Sequence, residues 1–387
     1  MRNIDSVLAW MIDGVPGAKT PADVVARLCP DLVAAGVPVD RCQAFVRTLH
    51  PHIAGRTFTW PASNASAGVD VAELAYGDLH GPRMASFAMM EVFRTEKPVR
   101  VRVRADDPHA DVAALAAHGY TDFFGGPLAF ISGQVHGIAF ATKTPGGFSD
   151  DDVAALGRVL APLSRVAEIF ALLRTATNLL NTYVGHDAGA RILAGQIQRG
   201  DTNSIRAVLW FSDLRGYTSM SSALQPVEII ATLNDVFDCQ VPAIEKYGGE
   251  VLKFMGDGMF AIFPVADEAV RGQRCDDALA AAKEAFTALD GLNARRAAKS
   301  TAPVRFGVAL HIGEIAYGNI GGSGRLDFTC IGPAVNLAAR LETLTGKLGK
   351  NVVVSEDVAK LASSKLESVG EFDLKGVTGA SKAFTPV

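Results

Sequence analysis

A tight turn between two apolar runs, in the stretch LKFMGDGMFAIF at residues 252–263, constrains the fold of this chain more than any other feature. Gly256 and Gly258 flank Asp257 at the tip, and glycine supplies the positive φ angles that short hairpin turns require. The pattern predicts a β-hairpin, in which Asp257 taken alone is an ordinary turn residue. Lys253 fits less well, because a charged side chain in a buried strand is costly without a partner.

The bulk composition indicates a globular protein of two or three domains, since the chain has 387 residues, of which 49% are hydrophobic. A net charge of −4 argues against a nucleic-acid partner. The five cysteines lack metal-ligand spacing and predict reduced thiols. The sequence has no apolar run long enough for membrane insertion and no secretory signal pattern, so we predict a cytoplasmic protein.

The chain is predicted to change character near residues 150 and 200. In residues 1–150, helical and strand patterns alternate, and the segment ends with GPLAFISGQVHGIAFATKTPGGFSDDDVAALGRVLAPL. Two short strands around a glycine turn, then a loop and an acidic-capped helix, resemble the end of a GAF domain, and the likeness extends over residues 20–165. The resemblance implies a regulatory domain in residues 1–150 that binds a small molecule, whose identity the sequence does not reveal.

Residues 151–200 are predicted to form a helical linker with a heptad-like seam. Two interpretations stay open: a parallel coiled-coil stem between two copies of the chain, or one helix packed against its own domain. Thr177 would be the single polar position that sets the register of a stem. The seam consists of Leu163, Val166, Phe170, Leu173, Thr177, Leu180 and Val184.

The last part, residues 201–387, reads as strand, helix, two hairpin strands, helix and strand. This succession is the split βαβ pattern of ferredoxin-like folds, so the chain as a whole is predicted to be of the α/β (α+β) class. The elements are a strand at 207–212, a helix from Pro226, a hairpin at 250–263, a helix at about 268–298 and a strand at 304–311.

Asp213 follows the first of these strands, in FSDLRGYTSM, and on its own would only cap or turn the chain. In a ferredoxin-like sheet, however, the first strand is central and lies beside the hairpin, so Asp213 and Asp257 are expected to meet at one edge. Two carboxylates without nearby histidine or cysteine suit Mg²⁺ or Mn²⁺. Gly216 and the amides after it would then cradle phosphate where the chain turns.

Three motifs together resemble the class III nucleotidyl cyclases, which make cyclic AMP or cyclic GMP. They are FSDLRGYTSM, LKFMGDGMFAIF and DFTCIGPAVNLAARLE, and the likeness covers about residues 203–387. Two departures are visible: Pro333 stands where a more polar residue is common, and Tyr217 replaces a common phenylalanine. Proline is well tolerated in the first turn of a helix, so the site is expected to survive.

The resemblance implies a role for each matching residue. Asp213 and Asp257, with the backbone carbonyl of Leu214, would bind two divalent cations, Mg²⁺ or Mn²⁺, in each active site. Asn336 would orient the ribose, and Arg340 would meet the charge that develops on the α-phosphate. Further substrate contacts are implied for Gly216, Tyr217, Thr218 and Lys375.

Lys253 and Thr329 occupy the positions that read the purine edge in this family. A lysine ammonium only donates hydrogen bonds, so it suits the N1 acceptor of adenine and not the N1 proton of guanine. The Thr329 hydroxyl can accept from the adenine amine. The pair therefore favours ATP, and it resembles a bacterial subgroup of adenylyl cyclases.

The family resemblance also implies a homodimer with active sites at its interface. The two aspartates would come from one subunit, and Lys253, Thr329, Asn336 and Arg340 from the other. The predicted function is thus an adenylyl cyclase regulated by its N-terminal domain. The alternatives are a guanylyl cyclase, disfavoured by Lys253, and a catalytically degenerate nucleotide-binding sensor, which would usually lack a metal aspartate or the Asn/Arg pair.

Overall fold

The chain divides into two compact units, Met1–Leu179 and Leu180–Val387. The division falls inside one helix, Asp150–Val184, whereas the sequence predicted boundaries near 150 and 200. The computed structural model describes residues 2–51, 53–61, 68–77, 86–322, 324–376 and 379–387.

The N-terminal unit contains a six-stranded antiparallel sheet with strand order β3-β2-β1-β6-β5-β4. Its regulatory, GAF-like character stays a prediction. Its elements are α1 (Asp5–Ile12), α2 (Pro21–Ala34), β1 (Arg41–Arg47), β2 (Ile53–Pro61), β3 (Asp70–Ala75), α3 (Ala88–Thr95), β4 (Val99–Arg102), α4 (Ala110–Ala116), β5 (Asp122–Ala129), β6 (Val135–Thr142) and the first part of α5 (Asp150–Val184).

The first half of α5 belongs to the core of the N-terminal unit. Leu163 and Val166 are buried there, and Phe170 packs against the same core from its edge. At these positions the structure supports the second interpretation, one helix packed against its own domain, because their apolar side chains are covered by that domain. Further along the same helix some apolar side chains are exposed: Ile169 and Leu173 are 64% and 58% exposed.

The C-terminal unit is built on an eight-stranded sheet, in which the order β10-β7-β9-β8 confirms the predicted ferredoxin-like core. The sheet continues as β13-β14-β12-β10, and β11 pairs with β10. Its elements are α6 (His186–Leu193), β7 (Thr202–Leu214), α7 (Tyr217–Ala223), α8 (Pro226–Lys246), β8 (Glu250–Met255), β9 (Gly258–Val265), a 3-10 turn (Glu268–Val270), α9 (Arg271–Ala298), β10 (Phe306–Gly322), β11 (Arg325–Ile331), α10 (Pro333–Leu348), β12 (Val352–Ser355), α11 (Glu356–Leu361), β13 (Leu366–Asp373) and β14 (Ala380–Pro386).

The central strand β7 separates two apolar cores, because successive side chains of a strand point to opposite faces. Val208 and Trp210 face the core shared with α8 and α9. Leu209 and Phe211 face the core shared with α6 and α10. The same alternation assigns Asp213 to the face of Leu209 and Phe211, at the end of the strand.

All five cysteines are buried and unbonded to one another, as the sequence predicted for reduced thiols. Within the described parts of the chain, no helix combines the length and the apolar composition needed to cross a bilayer. The cellular location stays a prediction.

Candidate active site

The two aspartates predicted to bind metal come together at one end of the sheet. Asp213 lies next to the last residue of β7 and is paired with Gly258, the first residue of β9. Asp257 immediately precedes that glycine, in the turn between β8 and β9. A Cβ atom on Gly258 would lie 3.1 Å from Asp213 Oδ1 and 2.8 Å from the Ser212 carbonyl oxygen. Glycine at this position thus leaves room for the Asp213 carboxylate.

Electrostatics at this edge favour a cation. Partial burial first, and then the neighbouring Asp257 carboxylate, raise the pKa of Asp213 to about 6, although one side of the residue stays exposed. A divalent cation between the two carboxylates would relieve their repulsion, and oxygen donors are what Mg²⁺ and Mn²⁺ prefer. The residues present therefore fit the predicted ions. Across the described residues, no cluster of three or more histidine, cysteine or acidic side chains forms a closed metal cage.

Arg215 ties the strand end that carries Asp213 to helix α10. Its guanidinium donates to the carbonyl oxygen of Thr345, at 3.1 Å, and to that of Lys350. These carbonyls belong to the C-terminal end of α10 and the residues just after it, where a cation is favourable. The backbone N–H of Arg215 also donates to the carbonyl of Arg305, at 2.8 Å. The chain after Asp213 is therefore held on two sides.

The chain turns sharply after Arg215 and enters α7. Gly216 has a φ of +77°, in the left-handed region that favours glycine, and the helix begins at Tyr217. The Tyr217 side chain packs against the edge of the core, while Thr218 is exposed. The phosphate contacts of Gly216, Tyr217 and Thr218 stay predictions.

Helix α10 presents Asn336 and Arg340 on its exposed side, four residues apart. Leu341 and Leu344 are buried on the neighbouring face of the helix, with Leu337 packed at the edge of the same cluster. Among the residues that the structure describes, the groups that act on the Asp213 carboxylate include Asp257 but neither Asn336 nor Arg340. In a single copy of the chain, Asp213 lies near Asp257, and Asn336 lies one helical turn from Arg340. No described contact connects the aspartate pair with the Asn336/Arg340 pair.

The remaining predicted contacts lie on other strands. Lys375 is exposed just after β13, separated from it by the buried Leu374. Lys253 lies on β8 and Thr329 on β11. Lys253 has the partner that its half-buried position requires: its Nζ lies 2.6 Å from Oδ2 of Asp327.

Sequence reasoning missed two acidic residues in this region. Asp327 stands two positions before Thr329, and alternation along a strand would have placed both side chains on one face. Glu342, half-buried on α10, accepts a hydrogen bond from Thr345 Oγ1 at 3.2 Å. Burial, and next the charge of Asp213, raise the pKa of Glu342 to about 7. Nothing in its spacing indicated this, because the proximity arises from packing of α10 beside β7.

Comparison with known proteins identifies the C-terminal unit. Residues 201–385 match the family model of the adenylate and guanylate cyclase catalytic domain. An adenylate cyclase of Anabaena cylindrica is 33% identical over 219 residues, which are 54% of this chain and 42% of that protein. Adenylate cyclase 1 of Rhizobium meliloti is 29% identical over 170 residues, which are 43% of this chain and 25% of that protein.

A solved structure of a bacterial light-regulated adenylyl cyclase shares the fold, with a TM-score of 0.50 and 20% identity over 65% of this chain and 83% of that one. The match spans less than half the length of the two curated relatives. The C-terminal part of this chain is a class III adenylyl/guanylyl cyclase catalytic domain.

Proposed function

We propose that this protein is an adenylyl cyclase, which converts ATP to 3′,5′-cyclic AMP and pyrophosphate. The observation that carries the proposal is the convergence of the Asp213 and Asp257 carboxylates within a class III cyclase domain. The alternatives are a guanylyl cyclase and a degenerate domain that binds a nucleotide without turnover. An intact carboxylate pair argues against the degenerate domain.

Asp213, Asp257 and the backbone carbonyl of Leu214 would hold two Mg²⁺ or Mn²⁺ ions. When bound, these ions supply Lewis-acid activation of the ribose 3′-hydroxyl and charge neutralisation at the phosphates. The open edge of the sheet leaves the carboxylates accessible from one side, where a triphosphate would approach. Gly216, Tyr217 and Thr218 would bind the phosphates through the start of α7.

The exposed face of α10 would stabilise the reacting α-phosphate. Arg340 carries a permanent charge on a planar fork, which suits the additional negative charge that develops there. Asn336, one turn earlier, would hold the ribose so that its hydroxyl faces the phosphorus. Lys375 would contact the terminal phosphates and favour departure of pyrophosphate.

Base choice would rest on Lys253 and Thr329. The ammonium of Lys253 would donate to adenine N1, and the Thr329 hydroxyl would accept from the adenine amine. Guanine presents a donor at N1, which an ammonium repels. This chemistry supports ATP as the preferred substrate.

A homodimer would complete the site. In one copy, the described contacts join Asp213 to Asp257 but not to Asn336 or Arg340. Two copies arranged head to tail would bring the aspartates of one subunit to α10 of the other. The exposed apolar side of α5 would then be available for pairing between subunits.

The N-terminal unit would regulate the cyclase through a small ligand. It contains a cavity of about 470 Å³, lined mainly by apolar side chains such as Phe45, Met90, Phe93 and Leu172. Cavities of this size and character commonly bind small molecules. The cavity supports a sensory role for this unit without identifying the ligand.

The decisive experiment is an assay of the purified chain with ATP or GTP, in the presence of Mg²⁺ or Mn²⁺. We expect cyclic AMP and pyrophosphate in equal amounts, and a higher kcat/KM for ATP than for GTP. A preference for GTP under the same metal conditions would establish a guanylyl cyclase instead. Nucleotide binding without pyrophosphate release would establish the degenerate alternative.

A further inference from the structure

The cavity of the N-terminal unit has apolar walls and a polar mouth. Its volume is about 470 Å³, within the range of pockets that bind small molecules. The walls are mainly aromatic and aliphatic, and they include the rings of Phe45 and Phe93, whose centroids lie 6.0 Å apart. Arg47, Ser132 and Gln134 also line the cavity and are exposed, so the cavity opens to solvent beside them. A ligand that fits this cavity therefore has an apolar body and a polar end.

Arg47 supplies the positive charge at this mouth. Phe45 and Arg47 are two positions apart on β1, so their side chains lie on the same face of the strand, the face that borders the cavity. Among the described residues that line the cavity, Arg47 is the one basic residue. In the part of the chain that the structure describes, Arg56 of the next strand pairs with Glu73, whereas no ion pair involves Arg47. The Arg47 guanidinium is thus available to an anion.

The acidic residue of the lining, Glu168, is already engaged within the protein. Its Oε1 accepts a hydrogen bond from the Ile131 backbone N–H at 2.8 Å, and its Oε2 lies 2.9 Å from Arg165 Nη1. A cationic ligand would have to compete with these contacts. At the mouth, the hydroxyl of Ser132 and the amide of Gln134 are further hydrogen-bond donors. The charge and the donors together favour an anionic end on the ligand.

A carboxylate suits this mouth better than a phosphate does. One guanidinium matches the single charge of a carboxylate and can bind it in a bidentate way. Phosphate groups are typically held by clusters of arginine or by successive backbone N–H groups, and the lining has a single arginine. The end group is therefore assigned as a carboxylate.

Helix α5 forms one wall of the same cavity. Its lining residues follow one another at intervals of three, one and three positions, which places them on one face of the helix: Glu168, Ala171, Leu172 and Thr175. The helix continues from this wall to Val184. The apolar body of a bound ligand would therefore contact the helix that leads along the chain to the cyclase domain.

We propose that this cavity binds an apolar monocarboxylate, an aromatic or medium-chain aliphatic acid, with its carboxylate on Arg47 and its body against α5. Binding does not depend on cyclase activity, and only the effect of the acid on cyclic AMP formation rests on the proposed function. The two kinds of acid share an end group and differ in shape, so binding measurements with both distinguish them.

Isothermal titration calorimetry of the full chain tests the end group. The probes are cinnamate and octanoate, the neutral amide of each, and cinnamylamine. We expect at least one acid to bind about tenfold more tightly than its own amide, because hydrogen bonds between charged groups are the stronger ones. Cinnamylamine should bind more weakly than cinnamamide, since it brings a like charge to Arg47. The advantage of the acid should decrease at high salt, because the mouth is exposed.

Variants of the mouth and of the α5 wall locate the site. Arg47→Met keeps an apolar stem without the charge, and it should weaken binding of the acid about tenfold while changing that of the amide less than about twofold. Arg47→Lys should recover part of the affinity for the acid. Arg41→Met is the matched control, since Arg41 lies on the same face of β1 about 20 Å away, and it should change neither affinity. Thr175→Phe, which fills space at the α5 wall, should weaken binding of the acid and the amide alike.

Several results would overturn the inference. They are equal affinity for each acid and its amide, tighter binding of the amine, an acid affinity that Arg47→Met leaves unchanged, and no binding of either acid at millimolar concentration. Binding of one acid and not the other would support the inference and identify the shape of the ligand.

Cyclic AMP assays test the effect of the bound acid separately. We expect a saturating acid to change the rate about fivefold, and the same concentration to have little effect on Arg47→Met. An unchanged rate with the acid bound would overturn the action through α5 alone. A chain that makes no cyclic AMP would overturn the proposed function, whereas the calorimetric result on the site would stand.

Discussion

Asp257 is the residue whose turn-forming and chemical roles are most easily separated. Its neighbour Gly256 already has a φ of +67°, so the backbone of the turn does not depend on the aspartate side chain. We expect Asp257→Ala to fold and to reduce cyclic AMP formation by at least about 100-fold, because a carboxylate donor to the cations is lost. The assay should be run with Mn²⁺, and the oligomeric state checked by size-exclusion chromatography.

Asp290→Ala provides the control, since Asp290 is an exposed aspartate on α9, away from the hairpin. It should keep wild-type activity. Near-normal turnover by the Asp257 variant would disprove the metal assignment.

The buried His136 side chain should make the stability of the N-terminal unit depend on pH. The side chain is completely buried, and its Nδ1 accepts a hydrogen bond from the Arg47 backbone N–H at 3.0 Å. Burial, and then the charge of Arg47, lower its pKa from 6.5 to about 4. The folded state therefore binds fewer protons than the unfolded state between these values. The free energy of unfolding should fall as pH decreases from 6.5 towards 4, by up to about 1.4 kcal/mol per pH unit.

His136→Asn tests this expectation, because its amide oxygen can accept the Arg47 hydrogen bond and does not titrate. Thermal unfolding of both proteins should be measured between pH 7.5 and pH 5. At neutral pH the wild type should be more stable than His136→Asn. This difference in stability should become smaller as the pH is lowered. His118→Asn, at an exposed position, should not change this dependence. If the difference in stability between wild type and His136→Asn were the same at every pH, the argument from the lowered pKa of His136 would be contradicted.

At the scale of the element, the apolar side chains of α5 have different surroundings along its length. Those of its first half are buried in the N-terminal core, whereas Ile169 and Leu173 further along remain exposed. An exposed apolar ridge on a long helix is typical of a surface that pairs with another helix. If α5 pairs in the proposed homodimer, we expect Leu173→Glu to convert that dimer to a monomer and to lower specific activity by about tenfold or more, because charge at the seam repels its symmetry mate. Analytical ultracentrifugation measures the first effect and the cyclase assay the second.

Thr182→Glu is the matched control for that substitution. It introduces the same charge at another exposed position of α5, nine residues after Leu173 and therefore about 180° around the helix from it. It should leave both the dimer and the activity intact. If Leu173→Glu remained a fully active dimer, the ridge would have no part in assembly.

At the scale of the whole molecule, the division within α5 predicts how a shorter chain behaves. A fragment of residues 180–387 retains the complete C-terminal unit and lacks the exposed ridge. We expect its specific activity to rise with protein concentration, as two copies associate by mass action. The full chain should show a constant specific activity over the same range. If the specific activity of the fragment and of the full chain depended on protein concentration in the same way, the cyclase domains would associate without α5.

Much of the C-terminal unit was predictable because its determinants are local. The Gly-Asp-Gly turn defines the hairpin, and the alternation of strand and helix patterns predicts the βαββαβ succession. The order of strands in a ferredoxin-like sheet then brings Asp213 to Asp257, as the structure confirms. These inferences needed only chain order and the geometry of a known supersecondary unit.

What periodicity could not decide is which partner covers the apolar positions of a helix. The seam proposed for α5 includes Leu163 and Val166, but these side chains are covered by their own domain. A heptad pattern looks the same whether the partner is another subunit or the core of the same chain, because both bury apolar area at the same spacing. Only the three-dimensional packing distinguishes them.

By itself, the sequence determined the hairpin, the fold of the C-terminal unit and the family to which its motifs belong. The tertiary structure decided the contacts between distant segments: Lys253 with Asp327, and Arg215 with the end of α10. Hydrogen bonds and ion pairs act over about 3 Å and depend on direction, so they form only once the strands and helices are in register. Chain order determines the elements, but the side-chain partners follow from how those elements pack.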